Sequence, residues 1–256
     1  MNLNEQNTLA LKELLYKMAD DLLILGHRNS EWTGIGPMLE EDISFSSMAQ
    51  DKLGQALALY QLLHELGENE PDTVAFTRND NQFHSCQLVE YPIGEYDFSL
   101  IRHFLFDNAE LIRYELLSES SYEPLAKLAR KFVGELKYHK FHGDTFVMQL
   151  GKGTEESKKR MQASLNASWN LALGIFENSP YEDLLIEEGI WKGEDFLKLR
   201  WLEAVQPIID EAGLQIPDDS NWAPVNGGRT GKHTEHLQPL LDEMTEVFRV
   251  DPGAEW

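Results

Sequence analysis

Apolar residues recur at helical spacing along most of this chain. Leu11, Leu14, Leu15, Met18, Leu22 and Leu25 follow one another at steps of three and four. That spacing places them on one face of a first helix, which ends around His27 to Glu31. Gly34, Gly36 and Pro37 then break the pattern, and a proline fits the first turn of the next helix. The second helix runs from about Met38 to Leu66. Leu53, Ala56, Leu57, Tyr60 and Leu63 form its stripe, and Gly67 is its stop.

From Pro71 to Phe98 the periodicity fades. The stretch is too long for a tight turn between neighbouring helices and suits a link that crosses a bundle. A third helix follows over Phe98 to Ser118 and a fourth over Tyr122 to Leu150. Leu125, Leu128, Phe132, Leu136 and His139 share one face of the fourth. After Gly151 and Gly153, a fifth helix spans Thr154 to Phe176, with Met161, Leu165, Trp169, Ala172 and Phe176 as its stripe. Glu194 to Ala212 predicts a sixth, interrupted or bent at Pro207. Residues 216–232, rich in Pro and Gly, read as a loop, and Thr234 to Phe248 as a last helix. No repeat, low-complexity tract or linker divides the chain. The expectation is one all-α domain over residues 1–256: a four-helix bundle with additional C-terminal helices.

Composition limits the partners. Acids outnumber bases 44 to 22, a net charge of −22. Such a chain repels phosphate backbones and anionic lipid surfaces, so neither nucleic acid nor membrane is an expected partner. A negatively charged coenzyme in one local basic pocket stays open. No apolar run is long enough to span a bilayer, and the first residues lack a signal-peptide pattern, which fits a cytoplasmic protein. Cys86 stands alone, so no disulfide framework or Cys-based zinc site is expected.

Long central helices invite a test for a di-iron carboxylate centre. Such centres take a Glu from each of two helices and a Glu-x-x-His pair from each of two others, because residues three apart reach the same metal pair. The histidines are His27, His64, His84, His103, His139, His142, His233 and His236. Three positions before them stand Ile24, Gln61, Asn81, Leu100, Leu136, His139, Thr230 and His233, none of them acidic. The pairs His139/His142 and His233/His236 could each offer one metal edge. The simpler reading makes His139 a hydrogen-bonded core residue and leaves the other three partly exposed.

Lys52 lies on a face with Phe45, Met48, Ala49, Ala56 and Leu59. It either snorkels to solvent or points inward, where it needs a paired charge. Asp107 shares a face with Leu100, Phe104 and Leu111 and raises the same question for an acid. Asn226, Gly227, Gly228, Arg229 and Gly231 form a glycine-rich stretch before a helix. It reads as a turn with positive φ angles in preference to an anion site. Glu40, Glu41 and Asp42 suit the amino end of the second helix, and a metal-binding role for them lacks a nearby His.

Several segments together resemble the C-subunit family of the phenylacetyl-CoA epoxidase complex. They are Gly26 to Trp32 (Gly-x-x-x-Ser-Glu-Trp), Gln50 to Ala56, Asp72 to Arg78, Leu88 to Pro92, Glu135 to His139, and Gly231 to Leu237. The resemblance covers nearly the whole chain and implies a ferritin-like fold. It also implies a related catalytic A subunit with a working di-iron site. That relative carries Asp-Glu-x-Gly-His where this chain has Asp51-Lys52-Leu53-Gly54-Gln55, so Lys52 and Gln55 stand at ligand positions. Its Glu-x-x-His aligns with Leu136 to His139, and Glu31 and Asp107 align with its single carboxylates. The implied site is therefore degenerate, with Lys52 facing acids such as Glu31, Asp107 or Glu135.

By the same resemblance this chain binds no cofactor and has no catalytic residue of its own. Di-iron, NADPH, FAD and iron-sulfur groups belong to partner subunits, and phenylacetyl-CoA is met at most indirectly. The expected partners are the catalytic A subunit, the reductase and the small subunits of the complex. The expected role is structural, with Trp191, Trp222 and Trp256 as docking anchors or as local packing. Two other readings are a divergent metal-binding oxygenase subunit, or a ferritin-like binding module without an oxygenase partner.

Overall fold

A computed structural model describes residues 4–251. Ten α-helices are found among them: α1 Glu5–Ser30, α2 Leu39–Glu65, α3 Pro71–Phe76, α4 Gln87–Glu90, α5 Tyr96–Leu117, α6 Glu123–Gly151, α7 Glu155–Leu173, α8 Glu182–Glu187, α9 Glu194–Glu211 and α10 Leu237–Val250. No strand occurs among the described residues. The four long helices α1, α2, α5 and α6 form a bundle. α1 packs along α2, α5 packs along α6, and α2 meets α6 to close the second side.

The ends of these helices follow from local chemistry. The Asn4 side chain accepts from the Asn7 N–H at the start of α1, and the Thr154 hydroxyl accepts from the Ser157 N–H at the start of α7. Glu40, Glu41 and Asp42 fall in the first turn of α2, where the helix dipole favours acids. Pro71 and Pro124 occupy first turns, where a missing N–H costs nothing. The crossover between α2 and α5 is no bare loop. It holds α3, a 3₁₀ turn over Asp80–Gln82, and α4. α9 runs unbroken through Pro207, contrary to an interruption there.

One hydrophobic cluster runs from Ala10 on α1 to Leu241 on α10, so the C-terminal helices share the core of the bundle. A smaller cluster of Trp32, Phe45 and Met48 closes one end. The α1 stripe is buried throughout. On α2, Ala56, Tyr60 and Leu63 are buried, whereas Leu57 is exposed and does not belong to the core face.

The glycine-rich stretch is a turn. Gly227 and Gly231 take φ values of 116° and 81°, flanking a 3₁₀ turn over Gly228–Thr230. Its placement serves Arg229, whose guanidinium enters the core and donates from Nη1 and Nη2 to the two oxygens of Asp21, each at 2.8 Å. Of the suggested docking aromatics, Trp191 is buried. Trp222 is half-buried and donates to the Pro217 carbonyl. Local packing accounts for both, and Trp256 lies outside the described residues.

Candidate functional site

Where the bundle helices converge, a chain of polar side chains replaces hydrocarbon. Lys52 on α2 is 0 % exposed and lies 2.5 Å from Asp107 Oδ1 on α5. Its ammonium also sits 5.2 Å from the centre of the Phe106 ring. The inward reading of both Lys52 and Asp107 is thus the one found. Helix geometry explains it: Phe45, Met48, Lys52 and Leu59 share the buried face of α2.

Asp107 is the hub. His139 on α6 lies with Nδ1 3.3 Å from Asp107 Oδ1 and Nε2 3.0 Å from Asp51 Oδ2. His103, one turn before Asp107 on α5, brings Nδ1 to 2.6 Å from Asp107 Oδ2. That contact is close, but its alignment falls short of a hydrogen bond. The chain continues outward. His142 Nδ1 is 3.2 Å from His103 Nε2, His142 Nε2 is 2.9 Å from Glu41 Oε1, and the Tyr96 hydroxyl donates to Glu41 Oε2 at 2.5 Å.

Electrostatics fix the charge states. Burial by itself would raise the Asp107 carboxyl, but Lys52 and His103 hold it well below the usual carboxylate range. Burial pushes His103 down to about 4, with Asp107 opposing only in part, so its imidazole is neutral near pH 7. For His139 burial is outweighed by its hydrogen bonds to Asp107 and Asp51, and its pKa is raised. Glu41 is likewise held low, because His142 and Tyr96 outweigh its burial.

Other anticipated residues fall differently. Gln55 is buried and donates from Nε2 to Glu135 Oε2 at 2.9 Å, so Glu135 serves Gln55 and forms no ion pair with Lys52. Glu31 does not join the cluster: its carboxylate turns to Arg28 Nη1 at 2.7 Å and its side chain is 33 % exposed. Leu136 is buried and has no donor to offer. His142 is buried, not partly exposed, and Glu41 has His142 beside it despite their separation in sequence. His103 is a member that sequence reasoning missed. Its position four residues before an inward Asp107, on one helix face, was the available signal.

A di-iron pair needs carboxylates and imidazoles converging from four helices. The residues present do not fit it. Lys52 brings an ammonium and Gln55 an amide, while both oxygens of Asp107 are engaged by Lys52, His139 and His103. Among the described residues no group of three or more His, Cys, Asp or Glu side chains is arranged to hold a metal ion. What the arrangement does chemically is balance charge inside the bundle.

Comparison with known proteins places this geometry in a family. A profile described as phenylacetic acid catabolic protein matches residues 1–256. The C subunit of 1,2-phenylacetyl-CoA epoxidase from Escherichia coli (strain K12) is 35 % identical over 241 residues, covering 94 % of this chain and 96 % of that relative. The A subunit of the same enzyme and organism is 26 % identical over 195 residues, covering 73 % of this chain and 62 % of that relative. With a ferritin-like helical bundle and a family match along its full length, the chain belongs to the phenylacetic acid catabolic protein family.

Proposed function

We propose that this chain is the non-catalytic, structural C-type subunit of a phenylacetyl-CoA epoxidase. It docks to a homologous di-iron subunit of the A type and stabilises it. The observation that carries the reading is the Lys52–Asp107 pair. A fully buried ammonium neutralises, with protein alone, the carboxylate that a metal centre would otherwise share. The near full-length match to the C subunit of the Escherichia coli enzyme supports it.

In this reading di-iron, NADPH, FAD and iron-sulfur groups reside in partner subunits, the reductase and small subunits among them. Phenylacetyl-CoA meets this chain at most at its junction with the A-type partner. The assembly is cytoplasmic. Among the described residues no helix is long and apolar enough to cross a membrane.

Co-expression with an A-type partner tests the proposal. The expected result is a stable complex of both chains, with iron remaining on the partner when the two are separated. Purified alone, this chain would hold about two irons if it were itself a di-iron oxygenase component, and that result would sink the reading. Failure to capture the A-type partner would sink it equally.

A further inference from the structure

The solvent side of α2 is an uncharged ridge. Between Ile43 and Gln61 its exposed residues are Ile43, Ser47, Gln50, Gly54, Leu57 and Gln61, none of them charged. Steps of four and three put them on one face, about 27 Å long at about 1.5 Å per residue. The whole chain carries 44 acids and 22 bases. Against that background, about five turns of exposed helix without a charge match the centre of an interface, where charged residues are depleted.

The relief around the ridge suits a helical partner. On one side Leu57 lines a groove of about 310 Å³ against α1 and α3, with His27, Leu53 and Phe76. On the other, Ala58 and Gln61 line a groove of about 480 Å³ against α6, with Leu62 and Leu128. Between them Gly54 has no side chain, and a Cβ there would meet nothing within 4 Å. A ridge between two grooves is the relief against which helices pack. Ile43, 60 % exposed, and Phe141 on α6, 67 % exposed, extend the apolar surface. The Tyr138 hydroxyl, 3.3 Å from Ser44 Oγ, joins α6 to that end of α2.

Charge selects the partner. On α6, Arg130 pairs with Glu123 and Lys140 with Asp144. Lys127, Lys131 and Lys137 are exposed and, among the described residues, pair with no carboxylate. Lys127 and Lys131 line the α6 groove, where Glu65 also lies without forming an ion pair to either. A second copy meeting this face with its own would bring the same ridge, which has no carboxylate to offer those lysines.

We infer that the outer face of α2, with the edge of α6 beside it, is the docking surface for the A-type subunit. That partner, homologous to this chain along 73 % of it, seats helices in the two grooves and carboxylates against Lys127 and Lys131. The inference rests on the assembly proposed above.

Capture of the co-expressed A-type partner by exposed-site variants tests it. Gly54→Gln adds bulk to the ridge at a position where Gln favours helix over Gly, and Leu57→Glu adds a charge. Each is expected to melt no lower than about 2 °C below wild type and to weaken capture at least ~10-fold. Lys127→Glu with Lys131→Glu is expected to weaken capture and to remove most of its salt dependence. Leu199→Glu, on the exposed side of α9, is expected to capture as wild type does. Wild-type capture by both ridge variants overturns the surface and leaves the assembly standing. Equal weakening by Leu199→Glu overturns it as well. A dimer of the chain alone that Leu57→Glu dissociates makes a second copy the occupant, which also overturns it. If wild type captures no A-type partner, the assembly itself fails and this surface with it.

Discussion

Replacing Lys52 with Met isolates the energetics of the bundle centre. Met preserves most of the length and apolar stem of the side chain, so packing against Phe106 changes little. The ammonium is lost, and Asp107 keeps a negative charge at 0 % exposure. Removing one partner of a buried pair costs roughly 3–5 kcal/mol. The low end, about 3 kcal/mol, is expected because His139 and His103 still face the carboxylate. For a chain of 256 residues that loss lowers Tm by about 6 °C. Urea unfolding should show the same loss at an unchanged slope. Because Asp107 then gains a proton more easily, the deficit should shrink as the medium is acidified. Asp107→Asn with Lys52→Met completes a double-mutant cycle, with an expected coupling of about 2–3 kcal/mol. A Lys52→Met protein melting within about 1 °C of wild type would refute the argument, because it would mean that the ammonium is not compensating a buried charge.

Three further outcomes follow from the same geometry. His103 is held neutral by burial, with a folded pKa of about 4 against 6.5 unfolded, so the unfolded chain binds more protons between those values. Stability contributed by this group is complete above pH 6.5 and falls by about 3 kcal/mol as pH drops to about 4; His103→Gln should flatten that segment of a urea-midpoint profile. Arg229→Met leaves Asp21 buried without its bidentate partner, and a loss of roughly 3–5 kcal/mol is expected, with faster protease cleavage within residues 216–236. Gly228→Ala would place a Cβ 2.2 Å from the Ser85 carbonyl oxygen, a backbone atom that cannot step aside. Its expected cost is about 3 kcal/mol, and a melting temperature equal to wild type would count against the packing described.

The long helices were legible because each carries apolar residues at helical spacing along most of its length. The bounds of α2, expected from Met38 to Leu66 and found from Leu39 to Glu65, rest on Pro37 and Gly67. The short helices α3 and α4 were not legible. They are too brief for a 3.6-residue period to declare itself, and tertiary packing sustains them. At the centre, sequence spacing raised the question of Lys52 and Asp107 but could not decide which way they point. Rotation of a helix by one residue changes which neighbours a side chain meets. His142 and Glu41 are 101 positions apart, and no local pattern announces a contact of that kind. Arg229 escaped notice for the opposite reason: the glycines around it suggested a surface turn, whereas the turn exists to drive one arginine inward.

The Arg229 clamp also bears on how the chain is made. Asp21 on α1 accepts from the nearer Cys86 N–H but waits for its guanidinium 208 residues later, and Glu90, bonded by Ser85, gains His233 and Thr234 only near the end of the chain. A ribosome delivers α1, α2, α5 and α6 well before these partners, so until the last tenth of synthesis has emerged both carboxylates lack their C-terminal partners and the cationic charge of Arg229. Nascent chains arrested ahead of Arg229 are therefore expected to remain open and easily cleaved around α1, and release of the final segment to close the interior in one late step.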